Sequence, residues 1–332
     1  MKNNFIKIIL FTLCFFLSCE HSSSQGKEKK SGFKKNQNTL KIVSWNVQTF
    51  FDAVDDGTEY SEFRSSKSRW GKEAYEARLD RLCNALQELN ADVFILSEVE
   101  NAAVMYDISN RLAGNSWSRK YSWDYACFTK NSGDAIGLAL LSRYPLSNLS
   151  THNVDIRTDA KQARMRPIVK VSLSQGDKNL TIFANHWKSK SGGAELSEVW
   201  RNWQEHTLST LLAENQNVAI LACGDFNRDI SEFKKCEKTF DIAFRRLYEN
   251  DSVLHSTWYS EHGSLLPSYS YYYDGAGERI DHVFYSKNVN VISFAVEDTG
   301  SWADENGMPY RYTLYTGKGY SDHFPLSATI SY

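Results

Sequence analysis

The stretch Ile220-Leu221-Ala222-Cys223-Gly224-Asp225-Phe226-Asn227 decides how the rest of the chain is read. An apolar run ends abruptly in Gly-Asp-Phe-Asn, the pattern of a short buried strand whose last residues leave a sheet. At a strand end, a carboxylate and an amide two positions apart can face one cleft. Asp accepts protons and ligates hard cations, while Asn can hold a phosphoryl or carbonyl oxygen. Gly, Asp and Asn are also ordinary turn formers. Taken alone, the eight residues read more economically as a strand-to-turn exit, so the rest of the chain must choose between a turn and a site.

The chain has 332 residues, 42% hydrophobic and 14% aromatic, enough for one large core or two modest ones. A net charge of −2 excludes a broadly basic nucleic-acid coat but leaves room for a local basic cleft. Lys2 and Lys7 flank a polar start, and Ile8 to Leu17 form an apolar run too short to cross a bilayer. Its end, Phe16-Leu17-Ser18-Cys19, resembles a bacterial lipoprotein box with Cys19 as the lipidated first mature residue. Residues 1–18 then form a lipoprotein-type signal peptide, 19–38 a polar flexible tether, and 39–332 one folded domain. This predicts export and anchoring to the cell envelope, with a secreted soluble protein as the alternative. Cys83, Cys127, Cys223 and Cys236 show no disulfide framework or metal-ligand spacing, and free thiols are expected.

Leu40 to Asn46 reads as a first strand, followed by a polar loop from Asp52 to Trp70. Leu79, Leu82, Cys83, Leu86 and Leu89 recur at helical steps. Asp92 to Ser97 is a buried strand ending at Glu98, with a helix over Met105–Leu112 after it. Further strands cover Tyr125–Phe128, Ile136–Leu141, Ile168–Leu173 and Leu180–Ala184, the last running into Asn185-His186. A long helix over Leu196–Leu212 is expected to turn Val199, Trp200, Trp203, Leu208, Leu211 and Leu212 inward. Tyr269, Tyr271 and Tyr273 alternate before Asp274-Gly275 and predict a hairpin returning through Ile280–Tyr285, which carries Asp281. A strand over Val289–Val296, an irregular loop over Trp302–Thr316, the triplet Ser321-Asp322-His323 and a strand over Phe324–Ile330 complete the chain.

The polar groups at these strand ends form one chemical set: Asn46, Glu98, His186, Asp225, Asn227, Asp281, Asp322 and His323. Carboxylates that converge must bind a cation or share protons. Oxygen ligands suit Mg²⁺, Mn²⁺ or Ca²⁺, and histidines move protons near neutral pH. Together these are the parts needed for water attack on phosphorus. The blocks Ser44-Trp45-Asn46, Leu96-Ser97-Glu98-Val99, Asn185-His186, Gly224-Asp225-Phe226-Asn227, Ile280-Asp281-His282 and Ser321-Asp322-His323 resemble, in order, those of the endonuclease/exonuclease/phosphatase superfamily.

The resemblance implies an α/β fold, a four-layered sandwich of two packed mixed sheets flanked by helices, with the active site at one end of the strands. It implies a divalent cation, Mg²⁺ first and Mn²⁺ or Ca²⁺ next, held by Glu98 and Asn46 with Asp322 in the same set. Asp225 would orient or deprotonate water, or support the metal, and Asn227 and Arg166 would hold phosphoryl oxygens. His323 would be oriented by Asp322, with His186 placed to protonate the leaving oxygen and Asp281 in the same acidic cluster. Asp134 is the positional candidate for the acidic partner of His186. Asn185-His186-Trp187-Lys188-Ser189-Lys190 and the tyrosine-rich hairpin resemble bacterial extracellular nucleases, which implies a non-specific nuclease acting on DNA or RNA. A sphingomyelinase-like phospholipid phosphodiesterase or an inositol-phosphate phosphatase is the alternative. A protein partner is not inferable, and the lipid on Cys19 would supply the membrane contact.

Overall fold

The computed structural model describes residues 39–114, 123–154, 162–237, 239–260 and 262–332; the expected signal peptide, Cys19 and the tether lie outside them. Two mixed sheets make the frame. One has six strands in the order Asn290–Val296, Leu326–Ser331, Leu40–Phe50, Val93–Val99, Gly137–Ser142, Tyr125–Thr129. The other has eight, ordered Leu146–His152, Ile168–Gln175, Lys178–His186, Ala219–Asp225, Asp281–Tyr285, Ser252–Ser256, Ile242–Phe244, Lys234–Lys235. Each sheet contains a parallel pair: Leu40–Phe50 with Val93–Val99, and Lys178–His186 with Ala219–Asp225. A parallel pair needs a long crossover, supplied by the helices Lys72–Leu89 and Ala194–Ala213. Parallel pairing also brings both carboxyl ends to one edge, which is how Asn46 nears Glu98 and His186 nears Asp225.

Strand periodicity sets the layers. Leu40 and Ile42 join Ile95, Leu140, Ile182 and Leu221 in a core between the sheets. Val43, Trp45 and Val47 face the other way, into a second core with Leu79, Leu86 and Ile108 of the helices Lys72–Leu89 and Ala102–Gly114. The helix Ala194–Ala213 covers the eight-stranded sheet through Leu208, Leu211 and Leu212, giving the four-layered α/β sandwich expected. Among the described residues Cys83 and Cys223 are buried free thiols, Cys236 is a half-buried one, and Cys127 is half-buried.

Two expectations are corrected. Val199 on the Ala194–Ala213 helix is exposed, and Trp200 and Trp203 are only half-buried. The inward positions of its first half are Ser197, Arg201, Gln204 and Glu205. That face covers the enclosed Arg228 guanidinium, which pairs with Glu205 at 2.7 Å and Glu198 at 2.6 Å, so apolar residues alone do not mark the inside. The hairpin also closes earlier than read. Tyr271–Tyr273 returns through Ala276–Glu278, because Asp274 and Gly275 adopt φ of 48° and 82°, the geometry of a two-residue turn. Asp281–Tyr285 is thereby free to pair with Ala219–Asp225, which sets Asp281 directly opposite Asp225.

Gly224 is required where the parallel strands Lys178–His186 and Ala219–Asp225 meet. Its φ is +131°, and an added Cβ would stand 2.0 Å from the Asn185 carbonyl oxygen. Gly224→Ala is expected to cost about 3 kcal/mol from strain and overlap together. Thermal unfolding checks this, and a melting temperature within a degree of wild type would contradict the close approach.

Candidate active site

The strand ends meet at one edge of the sandwich. The Asn46 side-chain amide donates to Glu98 Oε1 and to Asp225 Oδ2, both at 3.1 Å, and so links the two sheets. His186 Nε2 lies 3.6 Å from the same two oxygens. Asn227 donates its backbone N–H to Asp225 Oδ1 at 2.8 Å, and its amide to Asp225 Oδ2 at 3.1 Å and the Trp187 carbonyl at 3.2 Å. Asp281 Oδ2 is 2.7 Å from His323 Nδ1. Ligand atoms of Asp225, Asp281 and His323 all lie within 4.8 Å of one another, and all three residues are buried.

The backbone is strained here and held in place by specific contacts. Glu98 has φ of 68° and Asn227 of 49°, in the left-handed region that non-glycine residues seldom adopt. Glu98 is fixed by the Thr49 N–H, which donates to its Oε2 at 2.6 Å. Gln48 and Thr49 are themselves left-handed. The enclosed Arg78 secures them by donating to the carbonyls of Thr49 at 3.0 Å, Val47 at 3.1 Å and Gln48, with its guanidinium 3.8 Å from the Tyr312 ring. Arg78→Met would leave three carbonyls without this donor. It is expected to lower stability by about 3 kcal/mol and turnover with it, measured by denaturant unfolding and initial rates on one preparation.

The carboxylate on His323 differs from the one expected. Asp281, not Asp322, holds Nδ1; the Asp322 oxygens lie 3.9 Å from His323 Nε2 and 3.9 Å from Arg311. Side chains of adjacent residues diverge, so Asp322 does not reach the inner edge of the ring, whereas strand pairing delivers Asp281 there. Asp322 is likewise absent from the close Asp225–Asp281–His323 cluster. Ser321 completes the support: its hydroxyl donates to the Asn46 carbonyl at 2.6 Å and accepts from the His323 N–H at 3.1 Å. Trp45 donates to the His323 carbonyl at 2.9 Å. Both residues lay inside the quoted blocks, yet nothing in the sequence showed that they brace His323.

His186 Nδ1 is buried without a hydrogen-bond partner among the described residues, so Asp134 does not supply its acidic partner. Burial, then Arg166 and His323, hold His186 well below its ordinary value, and its ring is neutral. Burial and the neighbouring Asp281 push Asp225 up to about 7. For His323, burial works to lower the value, but Asp281, Asp225 and Asp322 outweigh it and lift it to about 10. Arg166 donates to the Trp187 carbonyl at 3.2 Å, and its charge is felt by both His186 and Lys188. Lys190 is committed to Glu278 at 3.3 Å and Glu232 at 3.5 Å. The Tyr271 ring lies 4.6 Å from His323, and Tyr273 stacks parallel to it with 60% of its surface exposed.

This donor set fits a divalent cation. Three carboxylates, Glu98, Asp225 and Asp281, are drawn together with His323 as the charged counterpart, and Asp225 holds its proton unusually tightly. Oxygen ligands and the absence of thiolate match the hard cations.

The sequence profile described as "Endonuclease/Exonuclease/phosphatase family" matches residues 43–323. No curated protein matches the chain in sequence. Among solved structures, a humanized D. rerio TDP2 is similar at 17% identity and a TM-score of 0.56, over 89% of this chain and 99% of that one. The human Nocturnin catalytic domain with bound sulfate anion is similar at 17% identity and a TM-score of 0.55, covering 88% and 94%. An endonuclease/exonuclease/phosphatase family protein from Bacteroides thetaiotaomicron aligns at 14% identity and a TM-score of 0.54, covering 89% and 98%. At these identities the shared property is the fold.

Proposed function

This chain belongs to the endonuclease/exonuclease/phosphatase family, and from that premise we propose that it is a metal-dependent phosphodiester hydrolase acting on nucleic acid. The observation that carries the reading is the Asn46 amide joining Glu98 of one sheet to Asp225 of the other, beside the Asp281–His323 pair. Glu98 and Asn46 would hold the cation. Once bound, it supplies Lewis-acid polarisation of a phosphoryl oxygen.

The chain's own groups divide the remaining work. Asp225, whose value in the cation-free protein is raised to about 7, takes the proton of the attacking water. As the water oxygen bonds to phosphorus and the bridging P–O bond breaks, protonated His323 gives its Nε2 proton to the leaving oxygen. The resemblance assigned that proton to His186. A neutral, enclosed His186 instead suits hydrogen-bond donation to a non-bridging oxygen, as does the Asn227 amide. Arg166 adds charge on the same side.

The substrate class rests on the surroundings. Parallel Tyr271 and Tyr273, the inner ring against His323, offer a face on which a base beside the scissile phosphate can stack. Inositol phosphates present no such flat apolar surface. Export as a lipoprotein anchored through Cys19 remains our reading of the first 19 residues, and loss of fatty-acid labelling in Cys19→Ser would support it. The function is tested with plasmid DNA, RNA, sphingomyelin micelles and inositol phosphates, each with Mg²⁺ or EDTA. Degradation of nucleic acid in Mg²⁺ alone is expected. Hydrolysis of sphingomyelin or inositol phosphates with none of nucleic acid would reassign the substrate, and cleavage of DNA undiminished in EDTA would remove the metal.

A further inference from the structure

A second group of carboxylates lies where the loop after the Leu40–Phe50 strand meets the end of the Val93–Val99 strand. Asp56, Glu59 and Glu100 each bring a side-chain oxygen within 4.8 Å of the other two. Asp56 is exposed, whereas Glu59 and Glu100 are buried at 7% and 0% exposure. Most of their oxygens accept hydrogen bonds. Glu59 accepts from the N–H groups of Asp56 at 2.7 Å and Gly57 at 3.0 Å, and Glu100 Oε2 accepts from Asp52 N–H at 2.5 Å. Asp56 Oδ1 accepts from the Thr58 N–H at 2.8 Å and hydroxyl at 2.6 Å. Among the oxygens of the two buried residues the exception is Glu100 Oε1, which has no hydrogen-bond donor among the described residues.

An unpartnered carboxylate oxygen inside a protein is costly, and two further carboxylates beside it raise the cost. Among the described residues, the only cationic side chain within 4.0 Å of these groups is Lys130, whose Nζ stops 3.9 Å from Asp56 Oδ2 and makes no hydrogen bond. One lysine at that distance does not reach the free oxygen of Glu100.

We propose that Asp56, Glu59 and Glu100 form a Ca²⁺ site separate from the catalytic centre. Three carboxylates, two of them on a loop, suit Ca²⁺, which takes six to eight oxygens in adaptable geometry. Mg²⁺ usually takes one or two carboxylates with substrate phosphate, and Zn²⁺ favours nitrogen and sulfur ligands absent here. The site has a structural consequence for the catalytic edge. Glu100 follows Glu98 by two residues, and its N–H donates to the Phe50 carbonyl at 3.1 Å. A cation joining Glu100 to Asp56 and Glu59 therefore ties the loop to the strand ends that carry Asn46 and Glu98.

The test is calorimetric Ca²⁺ titration of the whole protein in saturating Mg²⁺, paired with terbium luminescence excited through Trp70, whose indole donates to the Asp52 carbonyl in this loop. One Ca²⁺ per chain is expected in the wild type. Asp56→Asn, an exposed change that opens no cavity, and Asp56→Asn with Glu59→Gln are expected to weaken binding at least tenfold. Asp225→Asn with Asp281→Asn is expected to leave it within about twofold. Circular dichroism confirms that each variant is folded. Absence of Ca²⁺ binding to the wild type overturns the proposal, as does affinity that follows the Asp225/Asp281 substitutions and ignores those in the loop. Hydrolysis is not the readout, so the result is independent of the proposed reaction.

Discussion

His323→Ala lowers turnover of phosphodiester substrate by roughly 10³-fold or more, about 4 kcal/mol of transition-state stabilisation, with the fold intact. The expectation rests on its place in the site. The ring is buried, paired with Asp281 at 2.7 Å, braced through its backbone by Ser321 and Trp45, and lifted to about 10. At neutral pH it is therefore an imidazolium in an acidic cluster, able to release a proton as charge builds on the leaving oxygen. Asp281→Asn is the sharper probe because the side-chain shape is kept and the charge lost. The raised value comes chiefly from Asp281, working against burial, so the variant's His323 titrates at lower pH than in the wild type. The protonated form then disappears at lower pH, and the alkaline limb of kcat/KM moves toward acid. In Asp322→Asn, with its oxygen 3.9 Å from Nε2, the limb moves less. Profiles of the three proteins on one DNA substrate decide the matter. A larger displacement for Asp322→Asn than for Asp281→Asn would return the orienting role to Asp322.

That exchange of carboxylates shows where reading from residues reaches its end. The strands around Asn46, Glu98, His186 and Asp225 were legible because each is an apolar run cut short by a polar residue. Their parallel pairing then made convergence unavoidable. Asp281 and Asp322 were both visible, but which of them meets His323 depends on a register that local pattern does not carry. The register was set by the turn at Asp274-Gly275, whose paired positive φ angles closed the hairpin onto Ala276–Glu278. The helix Ala194–Ala213 misled for a different reason. Its first half covers a buried guanidinium, so Glu205 and Gln204 face inward while Val199 faces water. Long-range charge pairing of this kind leaves no periodic trace. Strands as short as Ile242–Phe244, next to the far edge of the second sheet, leave little more.

Removing the divalent cation is expected to have the other largest effect, and Glu98→Gln separates metal loss from loss of shape. EDTA should abolish hydrolysis, with Mg²⁺ or Mn²⁺ restoring it, since the metal contributes several kcal/mol, on the order of 10²–10³-fold or more. Glu98 is the residue to change because its backbone is held at φ of 68° and its two oxygens are already placed by Thr49 N–H and the Asn46 amide. Glutamine keeps the length and one carbonyl oxygen but removes the charge that attracts a cation. The expected result is a fall of about 10²-fold or more in kcat, with a higher Mg²⁺ concentration needed for half-maximal rate. Proton release adds a second readout. Asp225 carries a proton up to about pH 7 because burial and Asp281 disfavour its charge, and a nearby cation reverses that balance. Mg²⁺ binding should therefore release protons below pH 7 and tighten as pH rises through that value. This is measurable by titration in buffers of different ionisation enthalpy. If Glu98→Gln kept wild-type turnover and an unchanged Mg²⁺ requirement, the cation would have to be held elsewhere in the cluster.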